Sequence, residues 1–112
     1  MRITFTPLDK KYFGGIKPPE QNDKPPFEVV SNNGFTLGLD YNHYQLFAVP
    51  HPEPSIGTHF QVRDGQLIVY GSSLNVDDKP LQANDTVEIK DGTTIGILSH
   101  VSYLNYRINI EK

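Results

Sequence analysis

The sequence predicts an all-β protein, a single-domain antiparallel β-sandwich of about ten short strands, more than one open sheet ordinarily holds. Three observations carry this. Between Gln66 and Ile97 the pairs Leu67/Val69, Leu74/Val76, Val87/Ile89 and Ile95/Ile97 each fall two residues apart, the period that puts side chains on one face of a strand. Each run is closed by residues that turn the chain, at Gly71, Asp77-Asp78, Asn84-Asp85 and Asp91-Gly92. Nine prolines, nine glycines and a single methionine act against helix, because proline removes a ladder donor and glycine costs backbone entropy. The stretch from Gln66 to Ile97 is therefore expected to be a β-meander with one face in the core.

Each further element has its own signal. Ile3 and Phe5 alternate in Arg2-Ile-Thr-Phe-Thr, and Pro7 ends that first strand by withholding a donor. From Lys10 to Pro26 two proline pairs and a glycine pair forbid helix and favour an extended loop, a candidate contact surface carrying Tyr12 and Phe13. The ordinary reading of those two rings is that they tuck against the core beneath a surface loop. Phe27-Glu-Val-Val and Phe35-Thr-Leu-Gly-Leu flank Asn33-Gly34, a dipeptide that suits a two-residue hairpin. Tyr44 to Val49 is nearly all apolar, which predicts a strand buried on both faces, and the prolines from Pro50 onward stop it. Thr58 to Val62, the Asp64-Gly65 turn and Leu67 to Tyr70 make a second hairpin. Two last runs, Val101 to Tyr103 and Tyr106 to Ile110, close a sheet.

The 112 residues are expected to form one domain, residues 1–112, with the proline- and glycine-rich loop at 10–26. There is no cysteine, so disulfides, thiolate metal sites and thiol nucleophiles are excluded. The start of the chain lacks the basic and apolar regions of a secretory signal, and no stretch reaches the roughly 20 apolar residues of a membrane span. A complete, soluble, cytoplasmic protein that does not bind membranes is expected. The net charge is −3, with lysines and arginines scattered, which argues against nucleic acid as a partner.

His43, His51 and His59 with Glu53 are the obvious metal donors, but strand spacing fixes no convergence among them, so no metal site and no cofactor are expected. Ser55, His59 and Asp64 supply the residue types of a hydrolytic triad without the nucleophile elbow or oxyanion loop such chemistry needs. Asp77 and Asp78 are explained by turn chemistry. Tyr41, Tyr44, Tyr70, Tyr103 and Tyr106 lie on or beside strands, where a tyrosine is either a half-buried edge residue or an anchor for a protein, sugar or base.

Thr36-Leu-Gly-Leu39-Asp, Ser55-Ile-Gly-Thr-His59, and Val76-Asp-Asp-Lys-Pro-Leu81 followed by Asn84-Asp85-Thr-Val-Glu-Ile stand in an order that resembles a forkhead-associated domain, over about two thirds of the chain. The resemblance implies a sandwich whose loops at 38–42, 54–59 and 72–75 converge at one end. In that family an arginine, a serine and an asparagine hold phosphothreonine, the arginine because its guanidinium matches phosphate oxygens two at a time. Here Leu39 stands at the Gly-Arg position, Ser55 has no neighbouring arginine, the histidine comes one residue late, and Asn75 is an approximate stand-in for the asparagine. The implied protein is a degenerate scaffold that has lost phosphothreonine reading and binds by shape.

The expectation is a non-catalytic protein-interaction module. Its partner-binding residues would be Leu39, Asn42, His43, Ser55, His59, Ser73 and Asn75 at the loop end, with Tyr12 and Phe13 of the long loop. A hydrolase built on Ser55 and His59 competes with this reading, and so do two further classes. One is a small-ligand or carbohydrate binder that uses exposed tyrosines. The other is an accessory subunit of a nucleoprotein complex, because Thr6 to Gly15 is similar to the opening of some RNA-binding subunits of type III CRISPR complexes. Those subunits need helices and a basic surface, which nothing after Gly15 supplies.

Overall fold

In Ser102–Glu111, the longest strand, Leu104, Tyr106 and Ile108 are buried while Arg107 and Asn109 are exposed, so the two-residue alternation of the sequence is realised as an inner and an outer face. The computed structural model describes residues 1–8, 11–12, 25–40, 45–50, 58–71, 74–82, 85–98 and 102–112. Among them are twelve strands: β1 Arg2–Pro7, β2 Lys11–Tyr12, β3 Phe27–Val30, β4 Gly34–Asp40, β5 Gln45–Val49, β6 Thr58–Arg63, β7 Gln66–Gly71, β8 Leu74–Val76, β9 Lys79–Pro80, β10 Thr86–Ile89, β11 Thr94–Leu98 and β12 Ser102–Glu111. The described residues contain no helix.

The strands form two antiparallel sheets. One has seven strands in the order β3-β1-β12-β11-β8-β9, with β2 also on β12; the other has five, in the order β10-β7-β6-β4-β5. Their inner faces share one hydrophobic cluster. Ile3, Phe5, Ile95, Ile97, Leu104 and Ile108 enter it from the first sheet, and Phe35, Leu37, Phe60, Leu67, Val69 and Ile89 from the second. The Phe5 ring meets Phe35 and Phe60 edge-on at 6.3 and 5.8 Å, and those two rings stack at 5.0 Å. The all-β sandwich is thus the observed fold. Of the four predicted core pairs, only Val87 is partly rather than fully buried.

Several connections differ from the expectation, each for a physical reason. The Asn33-Gly34 hairpin does not form: β3 pairs with β1 in one sheet, while β4 pairs with β5 and β6 in the other. A two-residue type I′ turn needs positive φ at both central residues, and Asn33 does not have it. Instead the Ser31 hydroxyl accepts from the Gly34 amide at 2.9 Å and donates to the Gly34 carbonyl, folding a sheet-to-sheet crossing. Glycine is required there, since at φ +136° a Cβ on residue 34 would lie 2.5 Å from the Phe60 carbonyl oxygen.

The expected meander is likewise split. β7 and β10 pair in the second sheet, β8, β9 and β11 in the first, so the chain changes sheet after β7, after β9 and after β10. The last change is held by Asp91, whose Oδ1 accepts from the Ile110 amide at 2.8 Å, and by the Gly92 amide donating to the Ile108 carbonyl at 2.7 Å. β5 is an edge strand rather than a strand buried on both faces. Of its apolar side chains only Leu46 is fully buried, and Phe47 is 39% exposed. Val101 lies outside the described residues; from Ser102 onward the two terminal runs are one continuous strand, and it lies inside its sheet rather than closing it.

The β6–β7 hairpin forms as the sequence predicts, with positive φ at Asp64 (52°) and Gly65 (76°). Asp77 and Asp78 make the same kind of turn between β8 and β9. The Asp77 carboxylate does not cap its own turn; its Oδ1 accepts from the amide and hydroxyl of Thr94 on β11.

Two stability outcomes follow from this packing. Leu67→Ala is expected to cost about 2–4 kcal/mol in a denaturant titration, through lost transfer energy plus a cavity; a loss below about 0.5 kcal/mol would place that face outside the core. Gly65→Ala is expected to cost about 1 kcal/mol. A Cβ at residue 65 meets nothing within 4 Å, so that loss is conformational alone and the variant stays folded.

Candidate functional site

Strand pairing alone brings the loop stems together. Asp40 at the end of β4 pairs with Gln45 at the start of β5, and Thr58 at the start of β6 pairs with both Leu37 and Gly71, the last residue of β7. Asp40, Gln45, Thr58 and Gly71 therefore occupy one end of the five-stranded sheet. In the other sheet Leu74 pairs with Ile97, Leu98 with Tyr103, and Ser102 with Tyr12, which groups the start of β8, the end of β11, the start of β12 and β2. Only residues 72 and 73 separate Gly71 from Leu74, a span of at most about 11 Å, so the two grouped ends adjoin.

The predicted site residues fall into three groups. Asn42, His43, Ser55, Ser73 and Phe13 lie outside the described residues. Tyr12 pairs through its backbone with Ser102 on this end. Leu39, Asn75 and His59 have defined places. Leu39 is 8% exposed and belongs to the core cluster, because it continues the inward set Phe35, Leu37 on β4; it anchors the end of that strand from within and offers no surface to a partner. Asn75 is half-buried between the inward residues Leu74 and Val76, opposite Gly96 and Pro80. His59 alternates with the inward Thr58 and Phe60, which turns it to the outer face of the five-stranded sheet.

On that face His59 sits in a cross-strand row, Val49–Thr36–His59–Tyr70–Thr86. Its Nδ1 is 3.0 Å from the Thr36 hydroxyl, and its ring lies against Tyr70, the centroids 5.1 Å apart. Thr36 is fully buried and His59 half-buried, so the hydrogen bond between them is partly shielded from water and links the imidazole across the strands. The neighbouring row is Gly38 opposite Phe47, where the Phe47 ring takes the space a side chain at residue 38 would need: a Cβ there would lie 2.2 Å from its ring. Glycine at 38 is thus the floor on which an exposed aromatic rests. Asp64 lies beyond the far end of β6, five residues and roughly 17 Å of strand from His59, so it cannot orient the imidazole as a triad carboxylate would. The described residues hold no group of three or more potential metal ligands.

Thr36 is the member of this row that sequence reasoning passed over. The signal was a lone hydroxyl among Phe35, Leu37 and Leu39, but its partner is 23 residues away and only the register shows it. Of the tyrosines considered as anchors, Tyr106 is 3% exposed and packed in the core, whereas Tyr70 is half-buried beside His59. The His59–Thr36 coupling is measurable. A double-mutant cycle with Thr36→Val and His59→Phe, the latter keeping a ring against Tyr70, is expected to give an interaction energy of about 0.5–1.5 kcal/mol in denaturant titrations. A coupling near zero would show that the two groups are held independently.

No helix among the described residues is long and apolar enough to cross a membrane. Compared with known proteins, the chain matches no protein-family model, no curated protein and no solved structure.

Proposed function

We propose that this protein is a non-catalytic protein-interaction module, a degenerate forkhead-associated-like sandwich whose partner is recognised without phosphate. The observation that supports it is the grouping of strand ends at Asp40, Gln45, Thr58, Gly71 and Leu74: two connections, after Asp40 and after Gly71, begin and end there, and a third returns to it at Thr58 from Pro50 near Gly34. Loops on such a scaffold are where binding residues gather, because the sheets hold the stems while the loops stay free to vary. None of these five stems carries a cationic side chain. Where the resembled family places its phosphate-binding arginine, Leu39 is buried in the core. A phosphate bears about −1.5 to −2 charges at neutral pH and is poorly held by neutral groups alone.

The reading is tested with a phosphothreonine peptide library and its unphosphorylated counterpart, titrated by calorimetry. The expected result is equal binding of the paired peptides. Leu39→Arg alone is expected to restore no phosphate preference, since residue 39 faces the core and the serine loop is altered as well. A phosphate-dependent gain above about 1.4 kcal/mol, a tenfold preference, would overturn the degenerate-scaffold reading and return Ser55 and Asn75 to the role of phosphate ligands.

A further inference from the structure

The two sheets have four edges, and three of them carry features that discourage another strand from pairing. β9 is two residues long and includes Pro80. β10 carries Glu88 and is bracketed by Asp85 and Lys90. β3 carries Glu28, which pairs with Arg2 at 3.3 Å, and follows Pro25-Pro26. Short length, charge and proline are how natural proteins blunt a sheet edge. β5 is likewise short and is followed directly by Pro50, but Gln45-Leu-Phe-Ala-Val49 carries neither charge nor proline within the strand, and among the described residues it pairs only with β4. It also presents Phe47, which with Val30 of β3 is one of two large apolar side chains exposed among the described residues.

A cleft opens beside this edge. It has a volume of about 160 Å³ and is lined by Gln45 and Leu46 of β5, Pro26 and Phe27 at the start of β3, Pro7 of β1 and Tyr106 of β12. None of these side chains is charged. Leu46 faces inward, and residues directly opposite one another on adjacent strands share a face, so the residue of an added strand opposite Leu46 would point into the cleft while its neighbours lie beside Gln45 and Phe47. Backbone pairing along an edge with a pocket for an alternate side chain is the arrangement by which sheets capture extended peptides. Two folded copies joined only along these five residues would have little else to contact, whereas a single extended peptide is held by backbone pairing and one side-chain pocket and needs no wider surface. The neutral cleft selects for a neutral guest.

We propose that β5 is a docking edge for an extended, uncharged peptide segment of a partner protein, which adds as a sixth strand to the five-stranded sheet and places an aliphatic or aromatic side chain in the cleft between Leu46 and Phe27. This rests on the interaction-module reading and names the kind of partner the module takes.

The test is selection from a display library of short unphosphorylated linear peptides on the full chain, followed by titration of the best binder. Enriched sequences are expected to share an apolar residue in an uncharged setting. N-methylating the binder at one alternate set of amides is expected to weaken it by at least about tenfold, and at the other set by less than about twofold, since only one set faces β5. Phe47→Lys is expected to weaken binding by about tenfold, and Glu88→Lys on the exposed outer face of β10 to leave it unchanged. Should Phe47→Lys fail to fold, the N-methylation comparison decides alone, because it leaves the protein intact. Equal effects of the two methylation sets, or full binding by Phe47→Lys, would overturn the edge. Binding that is lost instead in His59→Ala or Asn75→Ala would overturn the edge while leaving an interaction module, and a library that yields no binder would count against both.

Discussion

The contact of Phe5 with Phe35 and Phe60 is the constraint on which the two-sheet arrangement depends. Phe5 comes from the seven-stranded sheet and the other two rings from adjacent strands of the five-stranded sheet, so one edge-to-face cluster fixes both the spacing and the lateral offset of the layers. Ring pairs of this kind contribute about 0.5–1.5 kcal/mol each beyond their buried area. Their position matters more than their sum. Phe35 follows Gly34, where the chain crosses from one sheet to the other, and Gly34 lies against the carbonyl of Phe60. The crossing and the aromatic cluster therefore support each other: the glycine lets the two backbones approach, and the rings pack against the ladder that pairs Gly34 with Gln61 and Phe35 with Phe60.

That crossing determines where the molecule can act. Once β4 is committed to the second sheet, β5 and β6 pair on either side of it, and their directions place the stems at Asp40, Gln45, Thr58 and Gly71 on one end. β5 becomes an edge by the same step. The loop-bearing end and the uncharged edge are thus two results of one topological choice, and they meet at Gln45. The outer face between them is stiffened by Thr36, His59 and Tyr70, whose cross-strand contacts tie β4, β6 and β7 together on the side away from the core.

The parts of this architecture that are local could be read from the sequence. Asp64-Gly65 specified its hairpin because both residues tolerate positive φ, and the two-residue alternation identified Leu67, Val69, Ile95 and Ile97 as inward-facing before any partner strand was known. Sheet membership is not local. Asn33-Gly34 has the composition of a tight hairpin, yet the difference between a hairpin and a sheet crossing is decided by Phe27 packing on Phe5 and by Phe35 packing on Phe60. The apolar run at β5 was misread for a related reason, since an unprotected edge and a doubly buried strand have the same composition. Leu39 marks the same limit within the site: at the end of β4 its residue type does not say which face it occupies, and the register of that strand turns it inward.

A sheet edge without charge is ordinarily a liability, and here it does not stand alone. The Phe47 ring lies over Gly38, in space that a Cβ at residue 38 would take unless the ring moved aside, and it is partly covered there instead of projecting fully into water. The glycine–phenylalanine pair keeps the edge both apolar and ordered, with the neutral cleft at Leu46 beside it. Order without charge is what an added strand needs from its template, because backbone hydrogen bonds are gained only where the edge is already straight and dry.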